Sequence, residues 1–116
     1  MLNFWATWVP LCGQALPQMQ ELQARFADDS RVEVWGLATQ ERAGSDPGAQ
    51  LREAGCTFGT LLNGERVTAS FMVSSMPSFY VIGTAGEVLH ASTGFDPQLA
   101  AKLGDLIAAH LEQAGQ

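Results

Sequence analysis

Cysteine carries the most usable chemistry in this sequence, and there are two of them, Cys12 and Cys56. A thiol acts as a nucleophile or redox group through its thiolate. A two-electron exchange needs a second thiol nearby to resolve the mixed disulfide. Cys12 ends the stretch "NFWATWVPLC", which holds two tryptophans and a proline, yet the residue three positions earlier, where a CxxC dithiol would have its first cysteine, is Val9. The other chemistry-bearing residues form no constellation. His90 and His110 have no CxxC or HxxxH spacing around them, so no metal, and no other cofactor, is expected. His90 alternates along a strand and His110 falls near a helix C-terminus, places that suit solvated or dipole-compensating histidines. Thr7 has no base beside it, and no local motif pairs a serine with a histidine.

The 116 residues suit one domain, expected to span 1–116, with 47% hydrophobic and 16% charged residues. Twelve acidic residues against six basic ones give −6, with no basic cluster, which argues against nucleic acid and anionic membrane surfaces as partners. No apolar run approaches the roughly 18 residues of a membrane-spanning helix. "MLNFWATW" has no charged leader region and does not read as a signal peptide. The chain opens directly in an apolar run, so truncation before or within the first core strand is expected, and the compartment is not readable from this terminus.

These residues need elements to position them. Leu2 to Trp5 reads as a buried strand, and Pro10 suits the first turn of a helix. Leu16, Met19, Leu22 and Phe26 recur at helical spacing, predicting a helix to about Ala27, kinked at Pro17. Val32 to Ala38 is β-rich and apolar, a strand covered on both faces. "ERAGSDPG" is expected as a loop, with Asp46-Pro47 capping a short helix that stops near Gly55. "TFGTLL" is a possible short strand, and Val67 and Phe71 are expected on one face of a short helix. Ser78–Ile82 and Glu87–Ser92, joined by "GTAG", predict an antiparallel hairpin. Asp96-Pro97 repeats the cap-plus-proline signal before a final amphipathic helix through Leu99, Leu103, Leu106 and Ile107, with "EQAGQ" frayed. The order β-α-β-α-β-α-β-β-α predicts an α/β fold. Its sheet is mixed, with early strands parallel through right-handed crossovers, a C-terminal antiparallel hairpin, and helices on both faces.

With those elements in order, "LNFWATWVPLCGQALPQMQELQARF" resembles the active-site region of thioredoxin-like proteins of the TlpA/ResA type, the redoxin-family thiol–disulfide oxidoreductases. That family reads NFWATWCxPC, then a helix with a proline one turn in. "VEVWGLA" is similar to its second core strand, and "GCTFGTLLNGERVTASFMVSSMPSFYVIGTAGEV" to its TFPVLLD, GVPTTFLID and DG segments. The likeness covers Leu2 to about Leu111. It implies a thioredoxin-like fold, and a cis proline at Pro77, between Met76 and Ser78, facing the dithiol and holding an extended substrate. It also implies a groove of Trp8, Val9, Pro10, Met76 and Pro77 for a protein or peptide thiol or disulfide partner, and a bacterial periplasmic or extracytoplasmic setting. By the same resemblance Val9 stands at the nucleophile and Cys12 at the resolving position.

Valine has no thiol, so no two-electron cycle can close there, whether Val9 is natural or replaces a nucleophile that an active parent enzyme carries. Cys56 is not expected to substitute. Cys12 belongs at the carboxyl end of the parallel strands, and Cys56 follows a helix running back toward the opposite end, beyond the ~4.4–6.8 Å Cα separation of a disulfide. Cys56 reads as a small apolar filler, Trp5 as core, and Trp8 as an exposed aromatic at the groove. Three functions follow. One is a thioredoxin-fold protein of oxidoreductase descent that binds a polypeptide without exchanging disulfides. Another is a peroxiredoxin-like peroxidase using Cys12, although that pattern has threonine where Val9 stands and arginine where Pro77 stands. The third is an interaction or assembly module.

Overall fold

Strand β1, Leu2–Trp5, is the middle strand of the sheet, and three of its four residues are fully shielded from solvent. In the computed structural model, which describes residues 1–39, 44–62, 64–73 and 75–114, the chain order is β1, α1 (Pro10–Arg25), β2 (Trp35–Ala38), α2 (Pro47–Glu53), β3 (Gly59–Leu61), α3 (Glu65–Ser70), β4 (Ser78–Ile82), β5 (Val88–Thr93) and α4 (Leu99–Ala114). The five strands lie in the order β3-β2-β1-β4-β5. β1, β2 and β3 run parallel, while β4 is antiparallel to β1 and β5 to β4. This is the mixed sheet and the thioredoxin-like fold that the sequence predicts.

Alternation along the strands divides the interior into two parts. On one face Trp5, Phe79 and Val81 pack with Cys12, Ala15, Leu16, Met19 and Leu22 of α1 and with Leu99, Leu103, Ile107 and Leu111 of α4. On the other face Phe4, Phe71 and Tyr80 form a trio of tilted and edge-to-face rings 5.0–5.6 Å apart, next to the short α3. Trp5 crosses from β1 over Gly36, and its indole Nε1–H donates to Thr60 Oγ1 on β3 at 3.2 Å. A Cβ at Gly36 would lie 2.8 Å from that nitrogen, so only glycine lets the ring cross.

The ends of elements differ from expectation where pairing or packing decides them. Helix α1 stops at Arg25, with Phe26 as its C-cap, and holds Pro17 inside it as expected. The second strand begins at Trp35 rather than Val32, since β1 pairs it only from Leu2↔Trp35 onward. β5 starts at Val88, one residue late, with an irregularity after Val81 that shifts the register. The loop expected over "ERAGSDPG" lies partly outside the described residues, at 41–43. The cap at Asp46 is present: its side chain accepts from the Ala49 amide at 3.0 Å, and Gly55 has the positive φ of a helix stop. Asp96 also accepts from the Gln98 amide, but α4 begins only at Leu99, two residues beyond Pro97. The tail expected to fray is helical to Ala114, and residues 115–116 lie outside the described residues. Val67 and Phe71 lie one turn apart on α3 and its C-cap, as expected, the Phe71 amide donating to the Val67 carbonyl, but Phe71 joins the aromatic trio while Val67 is exposed.

Two glutamines fasten α1 to distant segments. Gln18 donates to the Pro97 carbonyl and accepts from the Ala100 amide, each at 2.8 Å, which ties the start of α4 to α1. Gln20 accepts from the Thr57 amide at 2.7 Å and donates to its hydroxyl at 2.9 Å, which fixes the approach to β3.

Candidate functional site

The turn from β1 into α1 is short because each residue has a local reason to be there. The Val9 amide donates to the Ala6 carbonyl and the Cys12 amide to the Val9 carbonyl, at 3.3 and 3.0 Å. Pro10 fills the first helical position, where no amide is needed. Val9 is then the N-cap, extended at φ −96° and ψ 113°, with no side-chain acceptor for the first amides of the helix and no acidic residue in its first turn. Those amides carry the positive end of the helix dipole. Cys12, one turn in, is fully buried against the α1 core.

The facing wall comes from the start of β4. Its register pairs Ser78 with Phe4, which brings the preceding residues alongside the end of β1 and the turn into α1. The Met76–Pro77 peptide bond is cis. Pro77 is fully buried, and its carbonyl accepts from the Gly94 amide at 2.8 Å, so the segment after β5 closes over the same end. Met76 packs in part against the core, while Trp8, Leu11 and Phe95 remain exposed. The sequence-derived residues Trp8, Val9, Pro10, Cys12, Met76 and Pro77 thus fall on two segments at one end of the sheet. Leu11 and Phe95 were not singled out from sequence. Phe95 carries no local signal, because only the bond between Gly94 and Pro77 brings it there.

The remaining candidates lie elsewhere. His90 Nε2 is 2.8 Å from Ser92 Oγ on β5. His110 belongs to the last turns of α4, 3.8 Å from Glu87 beyond the far end of β4. Of the two roles expected for it, solvated or dipole-compensating, the solvated one does not hold, since its Nε2 is buried with no hydrogen-bond partner. Neither imidazole can act as a base at Val9 or Cys12. Trp5 is core, as expected. Among the described residues no group of three His, Cys, Asp or Glu is arranged to hold a metal ion, and no helix is long and apolar enough to cross a membrane.

Neither cysteine forms a disulfide. Their expected separation by the length of the sheet is corrected, however. Cys56 Sγ lies 3.9 Å from the carbonyl of Leu16, one helical turn beyond Cys12, and both thiols belong to the same side of the core. The cause is the seat of α2: Leu51 is buried in the α1 core, so the residues that follow run beside α1 rather than away from it. Burial pushes the Cys56 thiol up, which keeps it protonated at neutral pH.

Comparison with known proteins gives a consistent picture. The AhpC/TSA family model matches residues 1–91. The thioredoxin-like protein YneN of Bacillus subtilis is 30% identical over 105 residues, which are 89% of this chain and 62% of YneN. A DsbE homolog, a thiol:disulfide interchange protein of Paracoccus denitrificans, is 31% identical over 96 residues, 81% of this chain and 50% of that protein. The chain therefore spans between half and about three-fifths of the curated relatives it matches. Among solved structures, a Chlorobium tepidum protein described as a DsbE-type thiol:disulfide interchange protein superposes with a TM-score of 0.80 at 27% identity, over 95% of this chain and 77% of that one.

Proposed function

The chain belongs to the AhpC/TSA family, among the thioredoxin-like relatives of the thiol–disulfide oxidoreductases, and from that premise we propose that it binds a polypeptide without exchanging disulfides. The observation that carries this reading is the pairing of a valine at the N-cap of α1 with a fully buried Cys12 one turn later. In dithiol exchange a thiolate attacks one sulfur of a substrate disulfide and displaces the other as a thiolate. A second thiolate then attacks the mixed disulfide, releasing the reduced substrate while the enzyme is oxidised by two electrons. Val9 supplies neither the attack nor the disulfide. Cys12 alone could at most stop at a mixed disulfide, and its burial denies it even that.

The proposed binding groove is apolar and uncharged: Trp8, Val9, Pro10 and Leu11 on the turn into α1 would form one wall, and Met76, Pro77 and Phe95 the other. Such surfaces suit an extended polypeptide held by backbone and apolar contacts. The partner is proposed to be a protein thiol or disulfide substrate of the kind the relatives' names indicate, in a bacterial extracytoplasmic setting. A peroxidase reading would need a reachable, activated thiolate. Cys12 is buried, and no hydroxyl or guanidinium occupies position 9 or 77.

The test is insulin reduction with dithiothreitol as electron source. The chain should add nothing to the uncatalysed rate, and thiol titration of the unfolded, unreduced protein should count both cysteines. Acceleration by the unaltered chain would overturn the reading. In an NMR titration with an apolar extended peptide, shifts should gather at Trp8, Leu11, Met76 and Phe95; shifts confined to other surfaces would remove the groove.

A further inference from the structure

The two walls of the cleft are held differently. One is the start of a helix and is fixed by its own ladder of hydrogen bonds. The other, Ser75 to Pro77, has no regular structure, and two carbonyls are tied from outside it. The Ser78 hydroxyl donates to the Ser75 carbonyl at 2.6 Å, and the Gly94 amide donates to the Pro77 carbonyl at 2.8 Å. Met76, which packs in part against the core, stands between these two ties. Ser78 is fully buried at the head of β4, so its hydroxyl has no water to turn to, and 2.6 Å is at the short end for an O–H···O bond.

We propose that Ser78 is a positioning residue. Its hydroxyl sets the place of the Ser75–Met76–Pro77 wall relative to Val9, and so the width of the cleft that a polypeptide must fit. This rests on the groove reading above. Ser78 itself does not face the cleft; it acts through the Ser75 carbonyl. Without the hydroxyl, that carbonyl loses this donor, and the wall keeps only the tie at Pro77.

The test uses the Val9→Cys protein, reduced beforehand and freed of excess reductant, in single turnovers with two disulfides. One is oxidised insulin, a polypeptide that must lie along both walls. The other is dithiobis(nitrobenzoate), a small disulfide that needs only the thiolate. In each reaction the protein dithiol is oxidised to a disulfide and the substrate disulfide is reduced to two thiols. Adding Ser78→Ala should lower the ratio of the insulin rate to the small-disulfide rate about five- to tenfold, as expected for loss of one buried hydrogen bond. Ser78→Thr, which keeps the hydroxyl, should restore the ratio. The pair Ser78→Thr and Ser78→Val isolates the hydroxyl at nearly constant volume, and serves if the alanine variant does not fold. A merely structural role would change stability and both rates together. A ratio unchanged between hydroxyl and non-hydroxyl variants, with insulin still reduced, overturns this proposal alone. A Val9→Cys protein that reduces the small disulfide but not insulin overturns the groove reading and the proposal with it.

Discussion

Val9→Cys should convert a binding cleft into a dithiol site, and the structure sets how far. The side chain at position 9 is partly buried at the N-cap of α1, where Val9 offers the first amides no side-chain acceptor and no acidic residue stands in the first turn to oppose a negative charge. A helix terminus stabilises a charge by about 0.3–1 kcal/mol, and up to about 2 in partly buried sites. At about 1.36 kcal/mol per pKa unit, the introduced thiol should titrate roughly 0.2–1.5 units below its usual ~8.5. Its thiolate fraction at pH 7 then rises from about 3% to between about 5% and 50%. The bond from the Cys12 amide to the Val9 carbonyl closes a four-residue turn, which keeps the two Cα atoms within about 7 Å, near the range a disulfide spans. Valine and cysteine differ little in volume, so the loss of stability should stay under about 1.5 kcal/mol. The assays are the pH dependence of alkylation of the introduced thiol, the mass of the product after mild oxidation, and insulin reduction with dithiothreitol. A folded variant whose new thiol titrates at or above ~8.5 refutes the electrostatic step. One that does not oxidise with Cys12 refutes the geometric step.

Three further outcomes follow from particular residues. Met72 has φ 57° and closes α3, with its amide bonded to the Ala69 carbonyl and the Val73 amide to the Thr68 carbonyl. This is a left-handed helix stop where glycine is preferred, and Met72 is 86% exposed, so Met72→Gly should raise the urea midpoint by an amount worth about 0.5–1 kcal/mol; a lower midpoint would contradict this. Asn3 is fully buried in β1 with neither amide atom hydrogen-bonded, so Asn3→Val should be neutral or up to about 1 kcal/mol stabilising by denaturant unfolding; a clear loss would mean the amide has a structural role. The Lys102 ammonium and the Gln98 amide hold the Asp96 carboxyl below the usual carboxylate range, so its contribution is present above that range and fades as pH falls through the lowered value. Unfolding midpoints followed from pH 6 downward should therefore decline less steeply below about pH 4 for Asp96→Asn than for the unaltered chain.

Local signals carried much of this structure into the sequence. Alternation and apolar runs marked β1 and β4, proline and aspartate marked the starts of α1 and α2, and "GTAG" marked the hairpin. Each of these reads out from a few adjacent residues. What was not legible depends on distant pairing. The start of β2 is set by where β1 lies beside it, and the exposure of Val67 by the placing of α3 on the sheet. The path of Cys56 is set by Leu51 burying itself against α1. The site was legible in the same divided way. Trp8, Val9, Pro10 and Cys12 lie in one stretch, and Pro77 stands out by its resemblance to a known loop. Phe95 and the tie made by Ser78 arise only when β5 and β4 are laid in register.

The clamp at Gln18 joins α1 to an amide 82 positions away, at the start of α4. Ala100, which carries that amide, is buried beside α1 as well as bonded to it, and the two helices share one core. The Ala100 amide should therefore exchange with solvent only when the whole domain opens, so its protection would report the global free energy of unfolding. A contact spanning most of the chain also closes a large loop, so its formation carries a large loop-closure entropy.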